Sequence, residues 1–280
     1  MLGFALHRML HDAGHDVVGV VRSVHPALVQ TLAGKGLRHL EGVDVARFGE
    51  SVFPLLEAER ADVVVNATGL LSTVDGGALL CVNALLPRLL GDYMRAHGGR
   101  LIHFSTDGVF DGRLGGYAET AMANPVGEYA VSKYLGEVSL EQAVTLRLSL
   151  VGFSLGRDRG LLDWFLGAHG EVKGYLHHWF TGLPVTEVAR FVDAHMLSGA
   201  VVPGGIWHLA GHRISKFELL AQCARRWPDP SRHLVADSQS MVDRSLNGLA
   251  LAGVTGYRSV SWDRLLGTMQ EFYARAGVVR

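Results

Sequence analysis

Four short β-rich runs, separated by stretches with helical periodicity, constrain this chain more than any other feature. They are Val17 to Val21 (VVGVV), Val63 to Ala67 (VVVNA), Leu101 to Ser105 (LIHFS) and Thr145 to Leu150 (TLRLSL). With little polar–apolar alternation, they read as strands buried on both faces, the pattern of a parallel sheet covered by helices. Ala46 to Arg60, Gly77 to His97 and Val126 to Gln142 supply the covers, and Pro87 must cap or kink the second. Ahead of them Leu2, Ala5, Leu6, Met9, Leu10 and Ala13 form one apolar helix face that Gly14 stops. The expected fold class is α/β, with a doubly wound parallel sheet over residues 1–150.

Residues 151–280 read as a smaller lobe, with some elements returning to the first domain. Gly152 to Gly182, rich in glycine and aromatics, reads as a loop-and-lid region. Helices are expected over Pro184 to Leu197, Ser215 to Arg226 and Trp262 to Ala276, a short strand over Ile206 to Leu209, and a break at Trp227-Pro228-Asp229-Pro230.

Composition removes several function classes. With 26 Lys and Arg against 27 Asp and Glu, the net charge is −1, which argues against a nucleic-acid binder that works by phosphate neutralisation. Cys81 and Cys223 are too few for a disulfide scaffold, and no Cys/His spacing fits zinc, so no metal is expected. His7, His11 and His15 are spaced like a metal stripe, but they lie off the apolar face and read as solvated. The longest apolar stretch, Ala78 to Leu90, carries Asn83, Pro87 and Arg88 and falls short of the ~20 residues a membrane helix needs. No targeting segment is visible, and a reducing cytoplasm is the expected home.

The chain begins directly in a helix, whereas a doubly wound nucleotide-binding domain ordinarily starts with a strand and a glycine-rich turn. One expectation is that roughly 10 to 20 residues belong upstream. The other is a fold that starts with a helix.

Chemistry is sought at the carboxyl ends of the strands. Ser105-Thr106-Asp107 follows the third run, where a hydroxyl could bond a substrate carbonyl; the simpler reading is a turn or cap. Tyr129 and Lys133 lie four apart in a predicted helix, which places phenol and ammonium on one face. A neighbouring ammonium favours the phenolate and should lower the tyrosine pKa, making Tyr129 a general acid for a carbonyl under reduction. Arg22-Ser23 ends the VVGVV run where a carboxylate would select NAD; a cation and a hydroxyl suit a 2′-phosphate and favour NADP(H). Arg244 could clamp a diphosphate or pair with Asp243. Trp164, Tyr175, Trp179 and His177-His178 are expected to pack rather than bind.

Taken together, STDGVFDG (Ser105 to Gly112), NPVGEYAVSKYLGE (Asn124 to Glu137), RLSLVG (Arg147 to Gly152), GLLDWFL, VKGY and DRSLNG (Asp243 to Gly248) resemble the extended short-chain dehydrogenase/reductases. The resemblance is strongest to dTDP-4-dehydrorhamnose reductase and its sugar-nucleotide reductase relatives. It implies a Rossmann-like NADP(H)-binding domain and a C-terminal substrate lobe, with reduction of the 4-keto group of a nucleotide-diphosphate 6-deoxysugar for polysaccharide or glycan synthesis. It makes Thr106, Tyr129 and Lys133 catalytic, with Tyr129 and Lys133 also at the cofactor. Gly3, as the last glycine of the family's turn, Asp44, Ala67, Thr68 and Gly69 complete the cofactor set, while Asp107 and Arg244 face the substrate. Gly108 stands where the related dehydratases carry a glutamate base, which disfavours dehydration. Assembly is left open, a homodimer being one form. Two other readings keep the fold without turnover: a non-catalytic NADP-binding regulatory subunit, or an inactive truncated gene product.

Overall fold

The computed structural model describes residues 1–24, 36–71, 75–154, 160–199 and 202–278. It opens in α1 (Leu2–Asp12), which buries Leu2, Ala5, Leu6 and Leu10, and Gly14 at φ +94° leads the chain out of it. β1 (Gly19–Val20) and β2 (His39–Leu40) pair in parallel. After one wide turn over Phe48–Val52, α2 (Phe53–Glu59) leads into β3 (Val63–Asn66). A helical run then comprises α3 (Gly76–Leu79), a π-type segment at Leu80–Leu85 and α4 (Leu86–Ala96). Pro87 has no N–H to offer the Asn83 carbonyl, and the helix widens just before it.

β4 (Arg100–Phe104), α5 (Glu128–Leu135) and β5 (Ala143–Arg147) follow, then β6 (Leu150–Val151), α6 (Leu161–Leu166), β7 (Gly170–Phe180) and β8 (Leu183–Pro184). α7 (Val185–Phe191), extended by a wide segment to Leu197, precedes β9 (Gly205–His208) and β10 (Ile214–Ser215). The chain closes with α8 (Lys216–Arg226), β11 (Arg232–Asp243), α9 (Leu249–Thr255) and α10 (Trp262–Arg275).

β3, β4, β5 and β9 hydrogen-bond in that order, every pair parallel. Alternate residues of β4 enter different cores. Ile102 and Phe104 pack with Leu2, Leu6, Val188 and Leu266 from α1, α7 and α10, whereas Leu101 packs with Leu86, Leu90 and Met94 of α4. Helices thus cover both faces, as a doubly wound parallel sheet requires. A second sheet, ordered β10-β7-β11, has β7 antiparallel to β10 and parallel to β11, with α8 packed against it.

Several expectations need correction. VVGVV is not a long buried strand: β1 is two residues, Val20 is exposed, and among the described residues only β2 pairs with it. The 126–142 helix is only α5. It ends at Gly136, where the crossing with the π-type segment is so tight that a Cβ would collide with the Asn83 carbonyl oxygen. The aromatic stretch after Gly152 is not a lid, because it holds α6 and then β7, the central strand of the second sheet; its residues 155–159 lie outside the described set. His7 is buried rather than solvated, its ring packed against Gly19, while His15 pairs with Asp193 at 2.8 Å.

Candidate active site

The carboxyl end of β4 runs into Ser105-Thr106-Asp107, and Thr106 caps the short turn that follows by accepting the Gly108 N–H at 3.0 Å. This is the cap that a Ser-Thr-Asp string suggests, yet it leaves the Thr106 hydroxyl free to donate to Asp107 Oδ1 at 3.3 Å. Tyr129 at the start of α5 shares a hydrogen bond with the same Thr106 hydroxyl, so the strand end and the YxxxK helix do converge.

Lys133 is buried and donates to the Phe104 carbonyl at 2.6 Å. Burial brings its ammonium down to about 8, with Glu137 opposing the fall. The Tyr129 phenol departs from expectation. It lies above its ordinary value because of burial and then the Asp107 carboxylate, while the Thr106 hydrogen bond works the other way. Lys133 is not what sets it, since the ammonium is directed at the β4 carbonyl.

Asp107 is itself pushed upward by burial, against the pull of Lys216, Arg244, Thr106 and Ser149. Arg244 donates from Nε to the Phe110 carbonyl at 3.1 Å. Its alternative partner, Asp243, is taken by Arg213 at 2.7 Å, so Arg244 faces Asp107 instead. Lys216, at the head of α8, sits with Nζ 3.5 Å from the Phe180 ring centroid. Sequence reasoning missed it, for no motif marks a lysine that reaches this cluster from another sheet.

Beyond β3, Asn66 Oδ1 accepts from the Thr68 N–H at 3.1 Å and the Thr68 hydroxyl at 2.5 Å, shaping the Asn66-Ala67-Thr68-Gly69 turn. Gly3 lies against this turn, since a Cβ on it would touch Ala67 at 3.7 Å. Asn83, also missed, ties the region to α5. It exchanges hydrogen bonds with Leu70 N and O at 2.9 Å each and donates to Ser132 Oγ at 3.0 Å. Arg22 and Ser23 are exposed past β1; Asp44, past β2, accepts the Ala46 N–H at 3.0 Å. No helix among the described residues is long and apolar enough to cross a membrane.

A dinucleotide suits this donor set. The first turn of α1, beside Gly3, carries no acidic side chain and no side-chain cap, so its N–H groups are open to an anion. Arg22 supplies a cation near the end of β1.

Comparison with known proteins places the chain. The model of the RmlD substrate binding domain family matches residues 1–245. A dTDP-4-dehydrorhamnose reductase of Mycobacterium tuberculosis is 32% identical over 198 residues, 62% of this chain and 64% of that protein. The matched stretches span 40 to 64% of the length of the first curated relatives. Among solved structures, the Bordetella bronchiseptica enzyme WbmG in complex with NAD and UDP superposes with a TM-score of 0.77 at 18% identity, covering 100% of this chain and 92% of that one. A dTDP-4-dehydrorhamnose reductase from Bacillus anthracis in complex with NADP gives 0.68 at 16% identity, covering 90% and 97%. These structures share the Rossmann-like fold described above. The family match over residues 1–245 carries the assignment: the chain belongs to the RmlD substrate binding domain family.

Proposed function

We propose that this protein is an NADPH-dependent reductase of the 4-keto group of a nucleotide-diphosphate 6-deoxysugar, acting in polysaccharide or glycan synthesis. The observation that carries the reading is the convergence of Thr106 and Tyr129 above a buried, charged Lys133. It is supported by relatives named as sugar-nucleotide reductases and by a neighbour solved with NADP.

Residues 1–150 would carry the cofactor, held by Gly3, Ala67, Thr68 and Gly69 at the diphosphate, Asp44 near the adenine, and Arg22 with Ser23 at the 2′-phosphate. Residues 151–280 would mainly grip the nucleotide-sugar. When bound, NADPH supplies a hydride. Thr106 orients the keto oxygen, and Tyr129 gives its proton to that oxygen as negative charge develops there. A phenol held above its usual pKa is fully protonated at neutral pH and ready to donate. Lys133, its ammonium fixed on the Phe104 carbonyl, would hold the nicotinamide ribose. Arg244 and Lys216, both facing Asp107, supply positive charge for the substrate diphosphate.

NADPH oxidation by the purified protein, offered a 4-keto-6-deoxy sugar nucleotide, tests the proposal. Turnover is the expected result. Tight NADPH binding without turnover would favour a regulatory subunit.

A further inference from the structure

Glu137, four residues beyond Lys133 and just past α5, is a deeply buried carboxylate, its side chain 3% exposed. It accepts from Ser105 Oγ, Arg147 Nε and Arg147 Nη2, each at 2.7 Å. Arg147, 5% exposed, lies over the Phe110 ring at 5.2 Å and meets His208 Nε2 at 3.4 Å. A buried ion pair is a poor device for stability alone, since apolar groups of similar volume often serve as well. Its position suggests a different use. Ser105 directly follows Phe104, whose carbonyl receives the Lys133 ammonium. Glu137 therefore ties the strand end that Lys133 contacts to the chain just past the helix that carries Lys133.

The groups facing Lys133 can be named element by element. Glu137 comes from the extension of α5, His103 from β4, and Arg147 from β5 through Glu137. Burial and the Lys133 charge keep His103 neutral. That leaves Glu137 as the opposing charge.

We propose that Glu137 is a positioning residue: its carboxylate, fixed by Arg147 and Ser105, is the counter-charge of the buried Lys133 ammonium and holds it on the Phe104 carbonyl. The proposal rests on the reading of Lys133 as part of the reducing site. Its test does not require turnover. The chain has four lysines, Lys35, Lys133, Lys173 and Lys216, so the Lys133 titration can be followed by NMR of 13Cε-labelled lysine. Glu137→Gln should lower the Lys133 midpoint by about 1 pH unit. Because this variant leaves a buried guanidinium unpaired and can fail to fold, the double variant Glu137→Gln/Arg147→Met removes both charges and should show a smaller fall in the same direction, the loss of the more distant cation offsetting part of it. Glu137→Asp should recover part of it. A folded single or double variant whose Lys133 titrates where the wild type does overturns the proposal. The alkaline limb of the pH profile for NADPH-dependent reduction should move down with the midpoint. A lowered midpoint in a protein that reduces no sugar nucleotide would sink the reductase reading and leave the counter-charge standing.

Discussion

Replacing Lys133 with methionine should stabilise the fold at neutral pH while abolishing reduction. Burial, partly offset by Glu137, brings the Lys133 ammonium from 10.5 to about 8. Unfolding returns it to the ordinary value, so the folded state binds this proton more weakly than the unfolded chain does. Below pH 8 both states are protonated, and the buried charge costs about 3 kcal/mol relative to an unshifted lysine. Methionine removes that cost but forfeits the hydrogen bond to the Phe104 carbonyl, roughly 1 kcal/mol. The variant should therefore be more stable by about 2 kcal/mol at pH 7. Between pH 8 and 10.5 the folded wild type releases its proton while the unfolded chain still holds it, so wild-type stability gains with rising pH and the variant's does not. By pH 10.5 the order should reverse, with the variant weaker by roughly 1 kcal/mol. Urea unfolding of both proteins across this range reads the difference directly, and other titrating groups cancel in it. A variant less stable at pH 7, or a gap that ignores pH, would refute the reasoning.

Tyr129→Phe should lower the reduction rate about 10²- to 10⁴-fold while a fluorescence titration with NADPH stays unchanged, because only the transferable proton is lost. Arg22→Ala should weaken NADPH binding about tenfold and leave NADH binding nearly unaltered, as expected for a guanidinium that meets a 2′-phosphate; equal losses for both would remove Arg22 from that role. Gly136→Ala should destabilise by about 3 kcal/mol or more in thermal unfolding, since its Cβ has no room beside the Asn83 carbonyl and both partners are backbone-fixed.

What was legible in the sequence was what local pattern controls. β3, β4 and β5 fall within one to three residues of their β-rich runs, and α8 begins at the Ser215 cap, closed by Glu218 in a reciprocal capping box. β11 was not legible. Its twelve residues, RHLVADSQSMVD, are half-buried at most and carry no apolar run, and they form a strand because β7 offers them a parallel edge. β7 itself misled in the same way, since aromatics between glycines suggest a loop until a partner strand on each side is known.

The site divides along the same line, and the acid strength of Tyr129 shows why. Spacing within a helix correctly puts Tyr129 and Lys133 on one face, but it cannot say which acceptor the ammonium chooses. Here it chooses the carbonyl that ends β4, so its charge is spent on the strand end and not on the phenol. The neighbour that does act on Tyr129 is Asp107, only two residues past Ser105, and it acts in the opposite direction. Asp107 is in turn offset by Lys216 and Arg244, which are more than 100 positions away and arrive from the head of α8 and the end of β11. A pKa is a sum over neighbours in space. A motif lists neighbours in sequence, so it can point to the proposed proton donor and still give the wrong sign for the field around it.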